Sequence, residues 1–193
     1  MKKSQRFRLH VLCEDELHMN FVLRLADRYR IGEKYLFIDA PPKGIDDAKE
    51  YVLKEYVNIV DRWRSARHDE NVGLLVVIDG DKEGVLRRRS ELTRRLKSAN
   101  RPPVAASDPV AILVPTYSIE TWIAWLCGHR PVSELQRYKS DEPLGRDVAR
   151  KIKDGVYTPK LALAAWTPPD PDEATHVPSL ADARDELSRR LDV

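Results

Sequence analysis

Three short acidic stretches in this 193-residue chain could do chemistry: Glu14-Asp15-Glu16, Asp79-Gly80-Asp81 and Ser118-Ile119-Glu120. Each follows closely on an apolar run. Residues two apart on an extended chain point the same way, so Asp79 and Asp81 are expected to converge on one ion. Gly80 between them lets the backbone turn sharply and a ligand approach. Carboxylates gathered within a few ångströms repel unless a cation intervenes or some are protonated. An oxygen-only donor set suits Mg2+ or Mn2+ rather than zinc, and such ions bind through a few carboxylates plus substrate phosphate. The chemistry implied is phosphoryl transfer or phosphodiester hydrolysis.

A lone Asp-Gly-Asp after a strand is commonly a solvated turn. The joint presence of Glu14 and Glu120, each just past its own strand, favours a site. Asp15, Glu16, Lys82 and Glu83 read as surface charges. His18 lies one helical turn after Glu14 and either reaches the same site or stays on the surface; His68, His129 and His176 are scattered in polar or loop contexts. Asp79–Gly84 also looks like the start of an EF-hand loop. That loop needs a bidentate acid at its twelfth position, which is Ser90 here, and a helix before it rather than a strand. No phosphate-cradling Gly-rich run and no Gly-x-Ser-x-Gly elbow occurs.

The elements that must position these acids alternate. Residues 6–13 place Phe7, Leu9, Val11 and Cys13 on one face of a strand. Leu17, Phe21, Leu25 and Tyr29 then recur at helical spacing, with Glu16, Asn20, Arg24 and Asp27 facing away. Lys34–Ala40 reads as a second strand, stopped by Pro41 and Pro42. Residues 45–67 carry Val52, Tyr56, Ile59 and Trp63 on a long helix. Val72–Ile78 is apolar throughout, as expected of a strand covered on both faces. A basic helix over Glu83–Ala99, a loop over Asn100–Pro109, a strand over Val110–Val114 and a helical stripe of Ile119, Trp122, Ile123 and Leu126 complete the alternation. Trp122 and Trp125 read as core rather than base-stacking.

This order predicts an α/β fold: three layers, a mainly parallel Rossmann-like sheet, helices on both faces. Ligands of such sheets bind outside the carboxyl ends of the strands, where all three acidic stretches fall. Residues 1–128 form the α/β domain. Residues 129–193, with short segments and prolines at 168, 169 and 171, read as a C-terminal helical appendage packed on it. Its last helix starts near Ser179 as N-cap and buries Leu180, Ala183, Leu187 and Leu191.

Composition excludes other classes. Lys and Arg total 33 against 31 Asp and Glu, a net charge of +2, so the chain is no uniformly basic nucleic-acid coat. Any such binding needs charge unevenly placed. Arg87, Arg88, Arg89, Arg94 and Arg95 lie on the basic helix, where a strip of them would hold backbone phosphates or simply form a solvated face that Glu91 partly neutralises. Hydrophobic residues make up 42%, enough for a core, and two cysteines give neither a disulfide framework nor a cysteine zinc site. The N-terminal MKKSQRFRLHVLC lacks a signal-peptide apolar stretch, and no run approaches the ~20 apolar residues a bilayer needs. No membrane partner and a cytoplasmic location are expected.

Glu14 after the first strand, Asp79-x-Asp81 after a hydrophobic strand and Glu120 opening a later helix resemble the TOPRIM fold, the metal-binding catalytic domain of topoisomerases, bacterial primases and related nucleases. The local texture is closest to the small stand-alone relatives of the overcoming-lysogenization-defect (OLD) nucleases. Pro115–Trp122 is similar to their Ser-x-Glu and Glu-x-Trp stretch, and Tyr157–Lys160 and Pro178–Leu180 to their Tyr-x-Lys and Pro-Ser-Phe stretches. The chain departs in having Asp15 where Gly is usual and His18 where a second acid is usual. The resemblance implies a Mg2+- or Mn2+-dependent nuclease acting on DNA or RNA, with an ATPase partner in phage or mobile-element defence. Asp79 and Asp81 would be metal ligands, Glu14 a ligand or general acid/base, and Ser118 and Glu120 part of a second metal position. Lys160, or Lys151 or Lys153, would stabilise charge on phosphate. His18 in an acid's place leaves one bound metal as the expected resting state. Two other readings stand beside it. One is a catalytically weak binding or regulatory module. The other is a flavodoxin-like receiver, in which Asp79 would accept a phosphoryl group but Ser118–Trp122 has no place.

Overall fold

The computed structural model describes residues 7–191 apart from 43, 46, 69–70 and 139–142. Its centre is an all-parallel sheet of strands β1 (Arg8–Cys13), β2 (Leu36–Asp39), β3 (Val72–Val77) and β4 (Val110–Leu113), in the order β2-β1-β3-β4. All six residues of β3 are buried, the signature of a central strand covered on both faces.

Helices α1 (Glu16–Arg28), α2 (Ala48–Ala66), α3 (Gly84–Ser98) and α4 (Ile119–Leu126) follow the four strands. Four more come after them: α5 (Pro143–Lys153), α6 (Pro159–Ala164), α7 (Glu173–His176) and α8 (Pro178–Leu191). Alternation along the strands sorts the core into two layers. Leu9, Val11, Cys13, Leu75 and Val77 face α1, α4, α6 and α8, while Leu12, Leu74, Val76 and Ile78 face α2 and α3. The architecture is therefore three-layer α/β. Residues after 128 share the first of these cores: α8 lies along β4, and α6 packs against α1 and α4. Among the described residues no helix is long and apolar enough to cross a membrane.

The buried faces follow the periodicity of the sequence, and the boundaries shift. The second strand is shorter than its apolar run, because Glu33–Tyr35 closes a single 3-10 turn, Tyr35 N–H donating to the Gly32 carbonyl at 2.8 Å. The last helix opens at Pro178, whose fixed φ and missing N–H suit a first helical position. Ser179 is therefore not its N-cap. Its hydroxyl is buried and takes part in a side-chain network with Glu134 and Trp122.

Candidate metal centre

The chain leaves β1 toward β2 on one side and reaches β3 on the other, so the crevice between β1 and β3 is a topological switch point. The register pairs Cys13 with Val77. Glu14 and Asp79 therefore emerge side by side from the carboxyl edge, and Glu14 Oε2 accepts the backbone N–H of Asp79 at 3.0 Å.

The first turn of α1 supplies the third member. Asp15 caps this helix, its Oδ1 accepting the His18 N–H at 2.9 Å. The same oxygen lies 2.7 Å from His18 Nδ1, and His18 Nε2 lies 3.0 Å from Asp79 Oδ1. His18 is completely buried. Asp79 Oδ1 also accepts the N–H of Ile119 at 3.0 Å, so the carboxylate caps the start of α4 in place of Ser118, whose side chain makes no cap bond. One ligand atom from each of Glu14, His18 and Asp79 lies within 4.8 Å of the other two.

A close backbone fit holds the Asp79 turn. Gly80 N–H donates to Pro115 O at 2.9 Å and Asp81 N–H to Tyr117 O at 3.0 Å. A Cβ on Gly80 would stand 2.3 Å from Thr116 O and 2.8 Å from Pro115 O, so only glycine fits. Below the turn, the buried Arg88 donates Nε to Asp79 O at 2.8 Å. Its other nitrogens face Glu91, Glu83 at 3.3 Å and Asp81 at 3.4 Å. Glu134 braces the opposing loop. It accepts Thr116 Oγ1 at 2.6 Å, Trp122 Nε1 at 3.2 Å, the Ser179 N–H at 3.0 Å and the Ser179 hydroxyl.

Burial and like charge set the protonation states. Burial, then the charge of Asp79, raises the Glu14 carboxyl to about 7. The same two causes raise Glu120, against a partial lowering by Ser118. Burial disfavours a charged His18, but the Asp79 charge and the contacts to Asp15 and Asp79 outweigh it, and its pKa stands well above the ordinary value. Asp15 is held at about 2, because its hydrogen bond and attraction to His18 exceed the effect of burial.

Several expectations are corrected. Asp81 is not extended beside Asp79 as expected: it has φ 53° and one carboxylate oxygen lies 3.4 Å from Arg88, while its charge still helps raise the Glu14 carboxyl. It is not part of the close-set trio. Asp15 is half-exposed but is no mere surface charge, since it orients His18. The buried Arg88 cannot belong to a phosphate-binding strip, and Arg95 is engaged with Glu50 of α2 at 2.6 Å. Arg87 and Arg94 remain exposed, Arg94 near Glu91 at 3.6 Å. Lys151 pairs with Asp147 and the Tyr157 hydroxyl. Lys153 and Lys160 are exposed, and among the described residues neither is joined to the trio. Trp122 and Trp125 are buried, as expected of core.

The donor set fits a divalent cation. Two carboxylates and an imidazole are gathered at one edge, and beside them the buried Ser118 hydroxyl has no well-aligned hydrogen-bond partner. That hydroxyl lies close enough to Glu120 to lower its carboxyl in part. No family model matches this chain, and the comparisons with curated proteins and with solved structures likewise yield no match.

Proposed function

We propose that this chain is a divalent-metal-dependent nuclease of TOPRIM type, closest to the small OLD-like relatives, that hydrolyses phosphodiester bonds of DNA or RNA. The observation that carries the reading is the meeting of Glu14, His18 and Asp79 at the switch point between β1 and β3, with Ser118 and Glu120 beside them at the start of α4. Glu14, His18 and Asp79 would hold the cation, Mg2+ or Mn2+ in the family pattern. When bound, such an ion polarises a phosphoryl oxygen and lowers the pKa of an attacking water.

The chain's own residues supply the remainder. Without a cation Glu14 stands at about 7, the range suited to a general acid/base at the scissile phosphate, a role open to it where it is not itself a ligand. Asp79 is fixed by Ile119 N–H and His18, so its carboxylate is pre-aimed. Ser118 and Glu120 offer oxygens for a second metal position. Asp81 in this reading acts mainly through Arg88, keeping the turn closed. Lys160 sits on α6, which packs against the helices carrying His18 and Glu120, and its charge would meet substrate phosphate. An ATPase partner and a role in phage or mobile-element defence belong to the same proposal.

The test is cleavage of labelled DNA and RNA with Mg2+ or Mn2+. Asp79→Asn and Glu14→Gln should each lower the rate by about 10²-fold or more, with the circular dichroism spectrum unchanged. Full cleavage by both variants would overturn the reading.

One observation favours a second reading, a binding or regulatory module. Both ring nitrogens of His18 already face carboxylates, so the cluster carries a cation of its own. Function indifferent to chelators, with no heat of Mg2+ or Mn2+ binding, would support it.

A further inference from the structure

Among the described residues, the trio at the switch point is not the oxygen-only set that three acidic stretches lead one to expect. One of its three members is an imidazole, and that imidazole is held on both sides. Asp15 Oδ1 stands 2.7 Å from Nδ1, which fixes the ring rotation and aims Nε2 at Asp79 Oδ1, 3.0 Å away. At 3.0 Å, Nε2 and Oδ1 form a hydrogen bond; an ion that displaced its proton would find the two atoms at about the separation of ligands bound at right angles at about 2.1 Å.

An outer carboxylate on the far nitrogen of a histidine is the usual device for orienting a metal-binding imidazole, and its loss typically costs about 10–100-fold in metal affinity. A second observation points to a ligand at the same place. The wholly buried Ser118 hydroxyl makes no hydrogen bond of normal geometry, and the group that feels it is the Glu120 carboxyl. Ser118 adjoins Ile119, whose N–H binds Asp79.

We propose that Asp15, His18, Glu14 and Asp79 form a mixed nitrogen–oxygen site that selects a first-row transition ion, such as Mn2+ or Co2+, over Mg2+. The inference rests on reading the cluster as a metal site. Its physical basis is the ligand: an added imidazole favours later first-row ions such as Co2+, and Mn2+ accepts it in place of a water more readily than Mg2+, which dehydrates reluctantly and keeps to oxygen ligands. The Asp15–His18 pair adds one such nitrogen, already oriented.

The test uses the full chain and the metals alone, with Mn2+ as the spectroscopic probe. Pulsed electron paramagnetic resonance of the Mn2+-loaded protein should show coupling to an imidazole nitrogen, and calorimetry should show Mn2+ binding at least ten times tighter than Mg2+. His18→Asp should remove the nitrogen coupling and narrow the preference. Asp15→Asn keeps a good helix cap and should weaken Mn2+ about 10-fold or more. The wild-type spectrum decides the matter even if a variant fails to fold. Mn2+ bound without nitrogen coupling, and lost in Asp79→Asn, would overturn the mixed site while leaving the metal-site reading intact. No binding of either ion would overturn both.

Discussion

Arg88 holds Asp79 by the backbone: its Nε donates to the Asp79 carbonyl oxygen at 2.8 Å from a side chain 1% exposed. The same guanidinium faces Asp81, Glu83 and Glu91, so one buried cation gathers two acids of the turn and one of α3. Arg88→Met should remove the Arg88 contacts to those carboxylates and to that carbonyl. Removing half of a buried pair costs about 3–5 kcal/mol. Because the carboxylates are partly exposed, about 2–3 kcal/mol is expected, read by urea unfolding. Arg88→Lys should not restore it, since an ammonium cannot fork to several acceptors. Wild-type stability in either variant would show that the clamp contributes nothing.

Gly80→Ala places a Cβ 2.3 Å from Thr116 O and 2.8 Å from Pro115 O. Both are backbone atoms and cannot swing aside. A loss of about 2–3 kcal/mol is expected, in the range of overpacked sites, together with weaker Mn2+ binding as the turn separates from the start of α4. Unchanged melting temperature and unchanged metal binding would contradict this fit.

Glu134 receives four donors from three parts of the chain: Thr116, Trp122 and Ser179 twice. Glu134→Ala leaves several buried donors unsatisfied, each costing about 1–3 kcal/mol. A total destabilisation of about 3–4 kcal/mol is expected, with Glu134→Gln milder because its carbonyl oxygen still accepts. Denaturant midpoints of the two variants measure this directly.

The metal-free protein should become less stable as pH rises from 4.5. With Glu14 raised from 4.5 to about 7, the native state keeps a proton that the unfolded chain has released. Its contribution is complete below about 4.5 and disappears through pH 7. His18, raised well above 6.5, has the same sign: its contribution is full below 6.5 and is lost as pH climbs through the folded value. Asp15, lowered from 3.8 to about 2, acts only on the acid side, where its contribution fades as pH falls. Thermal melts between pH 4.5 and 9 should decline. Glu14→Gln, which keeps an acceptor for Asp79 N–H, should flatten the decline, and saturating Mn2+ should oppose it at pH 8. A melting temperature that rises from pH 5 to 8 without metal would refute this.

If nucleic acid lies along α3, Arg87→Ala and Arg94→Ala should each lower the salt slope of binding by about 1. Arg95→Ala should not, because its guanidinium is paired with Glu50. It should cost only about 0.5 kcal/mol, the value of a half-exposed pair. Filter binding at several salt concentrations separates the two cases.

The apolar runs made the layers legible. The continuous run at 72–78 could only be a strand covered twice, and Phe21, Leu25, Val52, Tyr56, Ile59 and Trp63 are buried where periodicity places them. The parts that escaped depend on distances the linear chain does not display. The positive φ of Asp81, a non-glycine residue, carries no compositional mark, so extended geometry was the natural assumption. Glu134 lies in a loop without periodicity, and its partners come from 18 to 45 residues away. Two signals were present but quiet. Arg88 stands four and eight residues before the buried Leu92 and Leu96, so it shares their inward face. Asp15 precedes His18 by three residues at a helix start, the spacing of a cap.

The pairing of Cys13 with Val77 has a consequence for how such a chain can vary. Because side chains alternate across a strand, inserting or deleting one residue within 8–13 or 72–77 would send Glu14 or Asp79 to the opposite side of the sheet. Lengths inside the two middle strands are therefore frozen. The surface connection around 100–109 can grow at little entropic expense, so sequence drift should accumulate there as gaps and here only as exchanges of one apolar residue for another.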